Sequence, residues 1–354
     1  MKLVKSTLIL LRLITIVFIL LLNISCSDNT PLESPSKIDF AKLNSAFFEA
    51  DQLSNLKSLV VSHNGEIIKE KYSGTGGADA AHDVRSVTKS VIGLLTGIAI
   101  DKGIIHSVDE TIGQYLIPLA GNISAEKSNI RIRDLLTMSS GFDWEELVSV
   151  SGYTNWFSSA NQVLYLLDKQ LISPPGQSFT YNSAALHLLS VIISRASGMP
   201  ASEFAKKYLF EPLDIGERLW QTDHQGFNNG GAGLQITPHD MIKIGQLIID
   251  KGEYQGRRIV SAEWIDRLST PKISTNNSMN FGPDYGYCWW IGSNARGSYL
   301  FANGWGGQFI VVVPYLKLVV VATNQWSGLT SSVANEQWYR TLNLILSAIL
   351  SAVN

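Results

Sequence analysis

Segments with strand character stand at both ends of this 354-residue chain, and helical segments fill the middle. Near the start, Leu59-Val60-Val61-Ser62-His63 and Glu66-Ile67-Ile68 flank Asn64-Gly65, the two-residue turn that most strongly signals a hairpin. Near the end, Tyr285 to Ile291, Ser298 to Ala302, Gln308 to Pro314 and Leu318 to Thr323 read as strands. Phe309-Ile310-Val311-Val312-Val313 is short, largely β-branched and bounded by Gly and Pro, the pattern of a central strand. Between these ends, apolar periodicity predicts helices at Ser86 to Asp101, Ile132 to Met138, Ala160 to Lys169, Ala184 to Ala196, Ala201 to Tyr208 and Pro238 to Lys251. Two more are predicted at Asp39 to Leu53 and Asn335 to Val353. Strands so far apart in sequence share a sheet only if the chain ends come together. The expected fold class is therefore α+β: one antiparallel sheet built from both chain ends with flanking helices, plus an inserted helical domain at about residues 106–270.

The first residues read as an address. Lys2, Lys5 and Arg12 precede an unbroken apolar run from Leu13 to Leu22, and Asn23-Ile24-Ser25-Cys26 follows. This is the layout of a secretory signal over residues 1–25. Cys after Ser at the end of an apolar run resembles a bacterial lipobox, which makes Cys26 the expected lipid attachment point. Ordinary secretion and an uncleaved anchor are the alternatives, and Arg12 interrupts the apolar length that an anchor needs. Residues 26–37, rich in Ser, Pro, Asp and Asn, are expected to be a flexible tether before a body at 38–354. The expected location is the bacterial cell envelope, with a membrane as partner through the lipid.

Charge and composition exclude several functions. With 28 basic and 30 acidic residues, and no local run of Lys or Arg, the chain has no electrostatic footprint for nucleic acid. Two cysteines cannot build a disulfide framework, and six scattered histidines form no zincin motif. The expectation is an enzyme or binding protein for a small molecule or peptide, without metal or cofactor.

Gly-x-Ser-x-Gly is absent, whereas Ser-x-x-Lys occurs at Ser34, Ser54, Ser86, Ser124 and Ser269. Only Ser86-Val87-Thr88-Lys89 opens a strongly apolar helix. Three residues make almost one helical turn, so Lys89 falls on the face of Ser86. A helix N-terminus favours negative charge developing at Ser86. An amine in apolar surroundings has a lowered pKa and can act as base toward the hydroxyl. The competing reading is a serine that caps a buried helix beside a solvated lysine. Tyr-x-Asn or Tyr-x-Ser occurs at Tyr153-Thr154-Asn155 and at Tyr181-Asn182-Ser183. The second follows Ser173-Pro174-Pro175-Gly176 and precedes a new helix, which places Tyr181 on a fixed loop edge where a phenol could relay a proton.

Ser86-Val87-Thr88-Lys89, Asp134-Leu135-Leu136-Thr137-Met138-Ser139-Ser140-Gly141, Pro175 to Ser183, Gly233 to Pro238 and Gly304-Trp305-Gly306-Gly307-Gln308 together resemble the serine β-lactamase-related hydrolases. That superfamily spans class C β-lactamases, D-peptidases, esterases and 6-aminohexanoate-dimer hydrolases. The resemblance covers nearly the whole body in the right order, and it implies an antiparallel sheet with flanking helices and a helical domain. It also implies Ser86 as acyl-accepting nucleophile, Lys89 as its base and Tyr181 as proton relay. The implied oxyanion hole is the N–H of Ser86 with that of Gln308. Ser183, Trp305, Gly306 and Gly307 are implied at the substrate.

Three positions depart from the peptidases and lactamases. Trp305 stands where they carry Lys or His, Met138 stands where many have His, and Ser183 replaces the Asn of class C enzymes. These changes point to the esterase or aminohexanoate-type branch. A cell-wall D-peptidase or β-lactamase, and a non-catalytic binding relative, are the alternatives. Of the nine tryptophans, Trp144, Trp156, Trp289, Trp290 and Trp305 fall in segments that border the cleft in this family, with core packing as the plainer reading for all but Trp305. Asn228-Asn229-Gly230-Gly231 reads as a loop, and Cys288 as a buried thiol in a strand.

Overall fold

The computed structural model describes residues 37–121, 123–147, 149, 151–276 and 282–353, so the predicted leader and Cys26 lie outside the described residues. Residues Ile38–Asn354 form one compact unit. Its centre is an eight-stranded sheet: β1 (Leu56–His63), β2 (Glu66–Tyr72), β3 (Ile273–Ser274), β4 (Asp284–Tyr285), β5 (Trp290–Asn294), β6 (Gly297–Gly304), β7 (Gln308–Val313) and β8 (Leu318–Asn324). The order is β2-β1-β8-β7-β6-β5-β4-β3, antiparallel throughout. The first hairpin therefore joins the last one through β1 and β8, with Val60 opposite Val321 and Val61 opposite Val320.

Every residue of β7 and β8 is buried. That requires cover on both faces, and helices supply it. The helices used below are α1 (Phe40–Ala50), α2 (Val87–Asp101), α3 (Ile132–Leu136), α4 (Ser183–Ser197), α5 (Pro238–Ile249), α6 (Ala262–Ser269) and α7 (Ser331–Asn343). On the face of Ile310 and Val319, Gly245 of α5 lies against both side chains. On the opposite face, Trp338 of α7 packs its ring 5.6 Å from that of Phe309. The body closes on itself where Ile38 bridges Val353 and the Asp39 N–H reaches the Ala352 carbonyl at 2.8 Å.

α2 is buried on nearly every side, from Val87 to Ala99, as suits the central helix of a large domain. It packs on α4, which also carries α3, and shorter helices at 113–120, 151–157, 162–167 and 201–205 lie with them between β2 and α5 in the chain.

Two expectations differ in detail. The strand expected at Tyr285 to Ile291 is a hairpin: Tyr285 pairs with Trp290 across a turn closed by the Gly286 N–H on the Trp289 carbonyl. Cys288 lies in that turn with φ +62°, not in a strand. The last helix continues past Asn343 as a wider turn over Leu344–Ile349, which lets Ile345 and Ile349 stay buried beside α1.

Candidate active site

The site begins with a turn that the sequence holds from several directions. His82–Asp83 pairs with Gln235–Ile236. Asp83 then accepts the Arg85 N–H at 2.8 Å, and Arg85 takes φ +51°. Thr88 gives its hydroxyl to the Arg85 carbonyl at 2.6 Å and accepts the Leu234 N–H at 3.3 Å. A side-chain carbon on Gly304 would strike the Val84 carbonyl, so the end of β6 lies directly against this turn. The arrangement brings the Gly304–Gln308 corner of the sheet to the start of α2.

Ser86 occupies the position before α2, yet its hydroxyl does not cap the helix. It accepts a 2.7 Å hydrogen bond from the Lys89 ammonium, which also donates at 2.7 Å to the Gly231 carbonyl. Lys89 is 2% exposed, so the reading of a capping serine beside a solvated lysine does not describe this helix. Burial drives the amine down to about 8; Glu146 opposes that shift, and Arg85 adds to it. Tyr181 shares a hydrogen bond with Ser86, and its ring lies 4.9 Å from the Lys89 nitrogen. Burial, reinforced by Glu146, holds its phenol well above the ordinary value, so it stays protonated at any working pH. Stacking on Trp290 at 5.9 Å fixes the ring. The loop behind it is tied to Met138, whose carbonyl takes the Thr180 N–H at 2.7 Å and whose sulfur takes the Asn182 N–H at 3.4 Å. Ser86, Lys89 and Tyr181 thus meet in one place.

The other expected positions divide. Ser183 is buried, and its hydroxyl and N–H both go to Glu146, at 2.6 and 2.8 Å. Its hydroxyl proton is therefore given to Glu146. Gln308 is wholly buried, with its amide exchanging hydrogen bonds with the Asn324 backbone at 3.0 Å each way. Only its main chain can face the site. Gly306 and Gly307 form the turn before it with φ +75° and +92°. Their carbonyls are held from behind by Gln337 and by Asn324. The Ser86 N–H has no acceptor among the described residues. Trp305 is half-buried, its ring edge-on to Trp326 at 6.1 Å. Trp156 and Trp289 are core residues, wholly buried, and Trp144 gives its indole N–H to Glu146 at 2.6 Å.

Several members of the site were not read from the sequence. Glu146 gathers three hydrogen bonds and acts electrostatically on Lys89 and Tyr181. Tyr153, from the first Tyr-x-Asn string, hydrogen-bonds Arg85 and lies within electrostatic reach of Tyr181. Gly231, in what read as a plain loop, supplies the acceptor for Lys89. Arg85 stands between the Trp326 ring at 4.4 Å and the Tyr153 ring at 6.0 Å, with Asp83 at 3.5 Å. A cation is thus present at the Ser86 turn, paired with Asp83 and set against two aromatic rings. Among the described residues no group of three or more His, Cys, Asp or Glu could hold a metal ion.

The pattern of the Beta-lactamase family matches residues 57–342. Over 286 residues the chain is 25% identical to the 6-aminohexanoate-dimer hydrolase of Paenarthrobacter ureafaciens, covering 76% of this chain and 72% of that one. The fold is similar to that of the octameric penicillin-binding protein homologue from Pyrococcus abyssi, with a TM-score of 0.68 at 23% identity over 87% of this chain and 78% of the other. It is similar also to that of EstCE1, a hydrolase with promiscuous acyltransferase activity, with a TM-score of 0.66 at 17% identity over 85% and 98%. The family match runs from β1 to α7 and takes in both the sheet and the helical region; the chain belongs to the Beta-lactamase family.

Proposed function

We propose that the protein is a serine hydrolase that cleaves a small ester or amide through an acyl-enzyme. The observation that carries this reading is the 2.7 Å contact between Ser86 Oγ and a buried Lys89 amine brought to about 8. Near neutral pH a usable fraction of such an amine is free base. Ser86 Oγ attacks the substrate carbonyl, and its proton passes to Lys89. The developing oxyanion is met by the N–H groups of Ser86 and Gln308, donors of a kind worth about 10²–10³ in rate. Tyr181, kept protonated, hands a proton to the leaving oxygen or nitrogen and recovers one from Lys89. Water then enters, gives its proton back through the same pair, and releases the acid and Ser86. Trp305, standing where the third motif usually carries Lys or His, supplies no cation for a substrate carboxylate, which supports the esterase or aminohexanoate-type branch over D-peptidase or β-lactam chemistry.

An active-serine phosphonate probe tests the reading. Labelling of the wild type and none of Ser86→Ala is the expected result; labelling that survives in Ser86→Ala overturns it. Turnover of a panel of short-chain aryl esters, D-amino-acid amides, aminohexanoate dimers and a cephalosporin then assigns the branch. We also propose, from residues 1–26 alone, export and lipidation at Cys26. Incorporation of labelled palmitate that persists in Cys26→Ala would refute it.

A further inference from the structure

One buried titratable pair plays no part in the chemistry above. His187 of α4 and Asp223 have fully buried side chains, with His187 Nε2 3.0 Å from Asp223 Oδ2. The other ring nitrogen, Nδ1, accepts the Gly230 N–H at 3.4 Å. With Nδ1 accepting, the ring's donor is Nε2, and His187 donates to Asp223. Asp223 is fixed in turn: its second oxygen accepts the Gln225 and Phe227 N–H groups at 2.8 and 2.9 Å. Trp156 packs 5.6 Å from the imidazole. The Asn229 side chain accepts the Gly231 and Ala232 N–H groups at 2.8 and 3.1 Å. The segment clamped by these bonds ends in the Gly231 carbonyl that accepts from Lys89.

We propose that the His187–Asp223 pair is a positioning element of the active site, which holds the 230–231 backbone so that the Gly231 carbonyl is a fixed acceptor for Lys89. This rests on the serine hydrolase reading and extends it. The physical case is one of rigidity. A lysine side chain has four rotatable bonds, and its amine must stay on the Ser86 hydroxyl to act as base. Two hydrogen bonds, one to Ser86 and one to a carbonyl that cannot move, leave it one position. The groups facing that amine are Ser86, Tyr181, Glu146, Arg85 and Cys288. None of them comes from the 220–231 segment, which contributes only this carbonyl.

The test compares Asp223→Asn, His187→Gln and His187→Asn with the wild type and with Leu43→Ala, a core change in α1. Phosphonate labelling and ester turnover are measured per folded molecule from pH 6 to 10. In Asp223→Asn and His187→Gln, kcat is expected to fall roughly 10-fold or more with KM within about twofold. The acid limb is expected to move to lower pH, because a displaced carbonyl no longer favours the protonated amine. His187→Asn keeps an acceptor near the Nδ1 position and should recover part of both. Leu43→Ala should lower the melting temperature and leave rate and limb unchanged. Wild-type rate and limb in both pair variants, or a limb that also moves in Leu43→Ala, overturns the positioning role. A wild type that the probe does not label overturns the hydrolase reading, and this role with it.

Discussion

Ser183 delivers both of its polar hydrogens to one carboxylate, that of Glu146. The residue that the motif suggested for substrate contact thus also holds a charge in place. That charge raises the Lys89 pKa against the pull of burial. In Glu146→Gln the amine should lose its proton at lower pH, so the acid limb of kcat/KM should move below about 8. The new amide also faces donors with a donor, a mismatch worth about 1–3 kcal/mol. A pH–rate profile and a melting curve check the two effects; a limb that stays in place would exclude electrostatic coupling.

Lys89 itself should set that limb. Activity is expected to rise with pH through about 8 in the wild type and to be lost in Lys89→Met. Stability follows the same proton. The folded-state pKa lies below the unfolded value of 10.5, so between about 8 and 10.5 the unfolded chain binds more proton than the folded one. Stability of the wild type relative to Lys89→Met should therefore rise across that window, by about 3 kcal/mol in all. Denaturant melts at pH 7, 9 and 10.5 measure it, and a flat difference would refute the buried-amine account.

Tyr181→Phe keeps the ring on Trp290 and removes only the hydroxyl. The expected loss in kcat is about 10²–10⁴, with KM little changed and the limb still near that of Lys89. A limb that disappears instead would make the phenol the titrating base.

Gly306→Ala should damage the Gln308 side of the site. At φ +75° an alanine is strained, and its Cβ would stand 2.6 Å from Trp326 Cβ. About 1–3 kcal/mol of stability should go, and kcat should fall with the displaced turn, by up to about 10²–10³ if the Gln308 N–H is lost. Unaltered turnover would show that this corner takes no part.

The sequence made some of this legible and hid the rest for physical reasons. Ser86 and Lys89 sit one helical turn apart, so local geometry alone juxtaposes them. The β7 and β8 runs announce burial on both faces by composition. Glu146 and Gly231 carry no such sign, because each meets Lys89 only through tertiary folding, from loops with no periodicity. The Tyr285–Trp290 turn was missed for a different reason. Its left-handed residue is Cys288, where turn chemistry leads one to look for Gly or Asn, and the apolar residues around it imitate one continuous strand.

A sheet assembled from both chain ends also governs when the protein can become active. Ser86 is made early in synthesis and α2 can pack on α4, but the sheet side of α2 stays uncovered until β6 and β7 have left the ribosome, and β1 stays an open edge until β8 arrives. Contacts of such sequence separation form late. The nascent chain therefore carries Ser86 through most of translation without the Gly304–Gln308 corner beside it, and the proposed site is complete only once the C-terminal strands are in place.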